Sequence, residues 1–159
     1  FAGSSEIFGN TSQKATEVGV SKFIPIKTDR SNISDINIYN LEQNAITASE
    51  QSERINIPII NERINFNKIT EFNFNNRCLI YCDERNLKNL NLIDTLYKIK
   101  SKFKKWSIII GPEGGFSLEE REIILKLKNV FPVSLGNRIL RSDTAATVAL
   151  FCLQQFIEN

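Results

Sequence analysis

A parallel α/β sheet flanked by helices is the fold class this sequence predicts, and three observations predict it. Short apolar runs alternate with helix-length segments, the pattern of strands joined by helical crossovers. Two of those runs, Cys78-Leu79-Ile80-Tyr81-Cys82 and Trp106 to Ile110, are nearly continuous in apolar residues, as strands covered on both faces are. Glycine-bearing turns then follow two strands. One is Gly111-Pro112-Glu113-Gly114-Gly115, and the other runs Leu135-Gly136-Asn137-Arg138-Ile139-Leu140-Arg141-Ser142-Asp143-Thr144-Ala145. Two strand-to-helix turns on one sheet point to a small ligand at the carboxyl ends of the strands.

The elements follow in order. Gln13 to Gly19 reads as the end of a first helix with Gly19 as its cap, and residues 1–12 as a lead segment expected to be partly disordered. Phe23-Ile24-Pro25-Ile26 reads as a strand whose proline suits an edge or an end. Leu41 to Ile55 reads as a helix, with apolar spacing at Leu41, Ala45 and Ala48. Pro58-Ile59-Ile60 is a short strand or connector, and residues 61–76, rich in Asn and Phe without a clean period, read mostly as loop. After the Cys78–Cys82 strand, a helix is expected between Leu87 and Phe103 with Leu90, Ile93, Leu96 and Tyr97 on its apolar stripe. Ser117 with Glu120 three residues on is a capping box that opens the helix after the first glycine turn. Val130 to Leu135 is the last strand. A final helix from Ser142 to Phe156 carries Ala145, Val148, Ala149, Cys152 and Phe156 on its apolar face.

Composition narrows the chemistry. A chain of 159 residues fits one domain, placed at residues 13–159. No signal peptide pattern and no membrane-length apolar run is present, so a soluble cytoplasmic protein with no membrane association is expected. Three cysteines, Cys78, Cys82 and Cys152, form no CxxC pair and read as buried thiols. The chain has no histidine, which excludes Ser-His-Asp triads, Cys-His dyads and His-based zinc sites, and no metal is expected. Proton transfer is left to a carboxylate, a perturbed Lys or Cys, or the substrate. The net charge of +2 announces no nucleic-acid binding by itself. Lys98, Lys100, Lys102, Lys104 and Lys105 are nonetheless crowded into one segment, read as a solvated helix face or, less often, a phosphate contact. The chain opens at Phe1 and contains no methionine, which suggests a fragment or a processed chain.

The turns themselves admit two readings. Gly111 ends a strand and lets the chain break away sharply, Pro112 fixes one backbone angle, and Gly114 and Gly115 permit positive φ and close approach of a ligand. The plain alternative is a tight loop in which Glu113 is structural. Neither G-x-G-x-x-G nor G-x-x-x-x-G-K-[ST] occurs, so a dinucleotide or triphosphate site has little support. In the second turn, Arg138 and Arg141 beside Asp143 favour contact with a carboxylate or phosphate, although surface charge would equally account for them.

These residues carry a family resemblance. The two turns, preceded in order by Lys14-Ala15-Thr16-Glu17-Val18-Gly19-Val20, Arg30-Ser31, Glu50-Gln51-Ser52 with Arg54, and Pro58, resemble the SPOUT superfamily of trefoil-knot RNA methyltransferases. More narrowly, they resemble the bacterial enzymes that methylate N3 of a uridine in 16S ribosomal RNA. The likeness covers about residues 13 to 150; it fails between Asn61 and Asn76, and Asp143 stands where the family commonly has Glu. It implies a carboxyl-terminal trefoil knot, a homodimer with Val148 and Phe151 partly in the interface, and S-adenosylmethionine as cofactor. The partner implied is 16S ribosomal RNA or the small ribosomal subunit. The family's amino-terminal RNA-binding barrel is expected to be absent from this chain.

The site residues carried over are Cys82, Glu84, Ile110, Gly111, Gly115, Leu135, Gly136, Ile139, Leu140 and Ala145 for the cofactor. Arg30, Gln51, Arg54 and Arg138 are implied for the substrate, with the dimer interface as the other place for Gln51 and Arg54. For catalysis the candidates are Arg141 or Arg30, stabilising a negative uracil, and Glu113 or Glu84 as proton acceptor. Glu113 holding its loop, and Gln51 and Arg54 on an exposed helix face, are the plain alternatives. The competing function is an RNA- or ribosome-binding module that keeps the fold without catalysis. An unrelated nucleotide-binding domain is disfavoured by the missing phosphate motifs.

Overall fold

The computed structural model describes residues 2, 5–31, 36–83 and 90–157. Its elements are α1 (Ser5–Glu17), β1 (Lys22–Phe23), β2 (Ile26–Lys27), α2 (Ile38–Gln51), β3 (Ile59–Ile60) and β4 (Ile64–Asn65). There follow β5 (Arg77–Cys82), α3 (Leu92–Ile99), β6 (Lys105–Ile110), α4 (Leu118–Lys126), β7 (Val130–Val133) and α5 (Ser142–Ile157). Every strand pair is parallel. The main sheet has the order β6-β5-β7, while β1 pairs with β3 and β2 with β4.

Strand β5 lies in the middle and is covered on both faces, as its apolar run requires. Successive side chains alternate between faces. Leu79 and Tyr81 enter one core with Ile109, Phe116, Ile124, Phe66 and Ile69. Cys78 and Ile80 enter the other with Leu92, Leu96, Val133, Ala149 and Leu153. Each fully buried side chain of this size contributes about 1.5–3 kcal/mol from removal of apolar area from water. The two layers of helix are thus fastened to the sheet through alternate residues of one strand.

Four expectations change on folding. The lead segment is helical from Ser5, so α1 takes up most of residues 1–12. The 23–26 strand is divided in two, because the buried Pro25 interrupts it and offers no N–H to a ladder. Residues 61–76 hold β4 and a 3-10 helix, Phe66–Glu71, with Phe66 and Ile69 buried. An i, i+3 apolar pair suits three residues per turn, a period that searches for 3.6 or 2 pass over.

The fourth change concerns α3, which begins at Leu92 behind its N-cap Asn91, whose side chain accepts from the Asp94 N–H. Residues 84–89 of the expected helix lie outside the described residues. The buried stripe is Leu92, Leu96 and Ile99, and Leu90, Ile93 and Tyr97 are exposed. Two apolar stripes overlap in this segment, and packing on the sheet selects one of them. In α5 the same selection buries Ala145, Ala146, Ala149 and Leu153 and leaves Val148 at the solvent edge. Gly19 does follow the end of α1, and α2 buries Leu41, Ala45 and Ala48 but ends at Gln51.

Candidate functional site

Strands β5, β6 and β7 end side by side at Cys82, Ile110 and Val133. Beyond those ends the two glycine turns enclose a cleft of about 610 Å³, a volume suited to a small organic ligand. Its lining includes Cys82, Ile110, Gly111, Gly115, Leu135 and Gly136. Ile139, Leu140 and Ala145 complete the apolar wall, and Glu113 and Arg138 also face it. Glu84 lies outside the described residues.

The two turns are joined by a hydrogen bond, and each is closed by one of its own. Ser142 Oγ, at the start of α5, donates to the Gly111 carbonyl at 2.9 Å. The first turn is closed by the Gly115 N–H, which donates to the Pro112 carbonyl at 2.8 Å. At the second, the Ser134 hydroxyl accepts from the Gly136 N–H at 3.2 Å. Gly136 has φ +125°, and a Cβ placed there would meet no atom within 4 Å. Backbone therefore borders open space, leaving room for a flat ligand to approach it closely.

Glu120 fixes the first turn from the other side. The capping box is complete: the Ser117 N–H donates to Glu120 Oε2 at 2.9 Å and Ser117 Oγ accepts from the Glu120 N–H at 3.3 Å. The second carboxylate oxygen accepts from the Asp29 N–H at 2.9 Å, and Ser117 Oγ donates to Asp29 Oδ2 at 2.9 Å. The 28–31 segment is thereby held on the glycine turn, where Arg30 Nη1 donates to the Gly114 carbonyl at 3.1 Å.

The structure does not bring all the expected polar residues to the cleft. Arg54 is not on an exposed face: its guanidinium donates to the carbonyls of Thr16 and Val20, satisfying the carboxyl end of α1. Gln51, at the exposed end of α2, is absent from the lining. Arg141 is also absent from it, being mostly exposed with its Nε 3.6 Å from Asp143 Oδ1. Arg54 thus holds the frame together. Lys14 does the same, reaching Asp143 Oδ2 at 3.5 Å and tying α1 to α5.

Asp143 sits almost buried in the first turn of α5. Burial alone would raise its carboxyl, but the Thr144 N–H, Lys14 and Arg141 outweigh it and hold it below its ordinary 3.8. A depressed folded value stabilises the fold above the unfolded value, and that stability is lost as pH falls through the folded one. We therefore expect Asp143→Asn to lower stability by about 1 kcal/mol at neutral pH. The same variant is expected to show a flatter acid limb below about pH 4 in urea melts across a pH series. An acid limb unchanged by the substitution would refute this.

One pair at the cleft was not foreseen. Arg121 Nη2 of α4 donates to Asp83 Oδ2 at 2.7 Å, and both line the cleft. The hydrogen bond to Asp83 is the main reason the guanidinium is held charged more firmly than usual. The adjacency of Asp83 to a strand end was legible in the sequence, but no fixed spacing connects it to Arg121. Cys82 is an apolar wall and no nucleophile, since burial pushes its thiol up to about 12. Among the described residues no group of three or more His, Cys, Asp or Glu side chains gathers as a metal site. No helix among them is long and apolar enough to cross a membrane.

A parallel α/β domain with a glycine-walled cleft at the carboxyl ends of its strands defines a small-ligand-binding class. The chain belongs to the RNA methyltransferase domain family, whose model matches residues 5–154. It is 36% identical over 138 residues to a ribosomal RNA small subunit methyltransferase E of Rickettsia conorii, covering 86% of this chain and 54% of that protein. The protein of that name from Neisseria gonorrhoeae, solved bound to S-adenosyl methionine, shares the fold. Its TM-score is 0.83 at 24% identity, over 96% of this chain and 62% of that one. A Legionella pneumophila methyltransferase solved with the cofactor SAM has a TM-score of 0.77 at 27% identity, over 97% of this chain and 64% of that one. The chain spans about half to three fifths of the length of the curated relatives it matches.

Proposed function

We propose that this domain transfers a methyl group from S-adenosylmethionine to N3 of a uridine in 16S ribosomal RNA. The observation that carries the reading is the convergence of both glycine turns on one cleft at the strand ends. The residues present fit such a cofactor: Leu135, Ile139, Leu140 and Ala145 offer an apolar wall. Gly136 leaves backbone open to close approach. The relatives named for small-subunit ribosomal RNA methylation, and the neighbour with SAM bound, support the choice of cofactor and substrate.

The cofactor supplies a methyl group on a sulfonium, already activated for displacement. The chain then has to align the substrate, exclude water and accommodate the proton lost from N3. Glu113 faces the cleft and is the proposed proton acceptor. Arg30, held on Gly114 next door, and Arg138 on the lining are the proposed cations for the developing negative uracil. Arg141, turned toward Asp143, is left the lesser part of this role. The proposal includes the trefoil knot and a cytoplasmic homodimer whose interface takes in the exposed Val148 and Phe151.

Calorimetric titration with S-adenosylmethionine and its demethylated product tests the cofactor. Transfer of labelled methyl to small ribosomal subunits, followed by mapping of the modified base, tests the reaction. Saturable micromolar binding with label on uridine N3 is the expected result. Folded protein that binds neither form of the cofactor would overturn the reading in favour of a binding module.

A further inference from the structure

We propose that the lysine-rich corner joining α3 to β6 is a second RNA-docking surface, which holds the phosphodiester backbone and stacks an unpaired base on Tyr97. The choice of RNA as the polymer rests on the reading of this chain as an RNA-modifying domain.

Lys98, Lys100, Lys102, Lys104 and Lys105 are all exposed. Among the described residues none of the five enters an ion pair. Asp94, one helical turn before Lys98, is held instead by Asn91, whose Nδ2 donates to it at 2.6 Å. A solvated helix face would normally intersperse opposite charges at this spacing. With 20 cationic and 18 anionic residues in the chain, the remainder of the molecule is net negative once these five lysines are set apart. The excess of positive charge is therefore concentrated at this corner, which favours a polyanion there.

An aromatic platform lies within the cluster. Tyr97 is 72% exposed, an uncommon position for a large ring, and its ring meets Phe156 edge-on at 4.7 Å between centroids. Lys100 Nζ stands 6.0 Å from the Phe156 centroid. An exposed ring packed against a second aromatic, in a segment rich in lysine, is the combination that single-stranded nucleic acid uses, with bases stacked and phosphates neutralised. A bare polyanion site would need no ring.

The surface is not part of the cleft. Lys105 opens β6 and Ile110 closes it at the cleft, a separation of about 16 Å at the rise of a parallel strand. Arg77 stands in register with Lys105 at the start of β5, which continues the positive edge across the sheet. RNA seated here would lie several nucleotides from a target base in the cleft. The corner would then contribute affinity and orientation, and no chemistry.

Fluorescence anisotropy with a labelled RNA hairpin carrying a single-stranded loop, repeated across a salt series without cofactor, tests the surface. The variants are the quadruple Lys100→Gln, Lys102→Gln, Lys104→Gln, Lys105→Gln, with Tyr97→Ala and Tyr97→Phe. The quadruple variant is expected to lose at least tenfold in affinity, and its logarithmic salt slope is expected to fall by about three. Tyr97→Ala is expected to weaken loop binding roughly tenfold while leaving heparin binding unchanged, and Tyr97→Phe to bind like the parent. All these positions are exposed, so circular dichroism should match the parent.

An unchanged salt slope, absence of RNA binding by the parent, or equal loss of heparin binding in Tyr97→Ala would overturn the proposal. Cofactor titration of the same variants is expected to be unchanged. Failure of the parent to bind cofactor would instead count against the methyl-transfer reading, with the anisotropy result standing by itself.

Discussion

Replacing Glu120 by alanine is expected to lower stability by about 3 kcal/mol and to weaken cofactor binding with it. The carboxylate is buried and accepts from two backbone N–H groups, those of Ser117 and Asp29. Removing it leaves both donors without that partner, and a lost charge-assisted bond of this kind costs about 1.5–3 kcal/mol. The damage reaches the site because the same carboxylate holds the segment carrying Arg30 against Gly114. Glu120→Gln keeps one good acceptor and turns an amide N–H toward the other donor, so it should recover about half the loss. Urea melts of both variants beside cofactor titrations measure this. A cost below about 1 kcal/mol for the alanine variant would show that the carboxylate is not the tie.

The second large effect is expected at the glycines of the cleft, where three substitutions should fail for two different reasons. Gly136 has φ +125° with no atom within 4 Å of a notional Cβ, so Gly136→Ala meets a conformational penalty and no steric one. Such a backbone costs about 1–3 kcal/mol for an L residue, and relaxing it would move the cleft wall. A loss of cofactor affinity of at least tenfold is expected. Gly115 has φ +66°, so the β-branched Gly115→Val is strained at the turn itself, with the same consequence for binding.

Gly111 differs in kind. A Cβ there would lie 3.0 Å from Cε2 of Phe116, whose ring packs on Tyr81 and Phe66. Gly111→Ala should therefore disturb the core first and the cleft second. Titrating the three variants and melting them in parallel separates the cases. Full cofactor affinity in Gly136→Ala would remove that turn from the binding surface.

What could be read in advance was what a few neighbouring residues encode. The Ser117–Glu120 capping box closes within one helical turn, so its residues announce it wherever the helix is placed. The apolar run of β5 declares a strand covered on both sides, because alternation would appear if one face met water. The glycine turns marked the cleft for the same reason: a sharp exit from a strand restricts residue type locally. All nine described residues of the expected cofactor wall line the cleft, since each belongs to one of those turns or to a strand end.

Polar roles were less legible. Arg54 was expected to meet substrate, yet its guanidinium satisfies carbonyls at the end of α1, and Lys14, given no role in advance, reaches Asp143 across 129 residues of chain. Asp83 and Arg121 meet with no motif to connect them. In α3, two apolar stripes compete, and only contact with the sheet buries Leu92, Leu96 and Ile99 in preference to Ile93 and Tyr97.

By itself, the sequence determined the strands of the main sheet, the Ser117–Glu120 cap and the position of the cleft, because backbone geometry and hydrophobic period act over a few residues. The tertiary structure alone decided which charges serve the frame, which face the cleft and which stay free on the surface. An ion pair is selected by distance in space, and that distance exists only after the chain has folded.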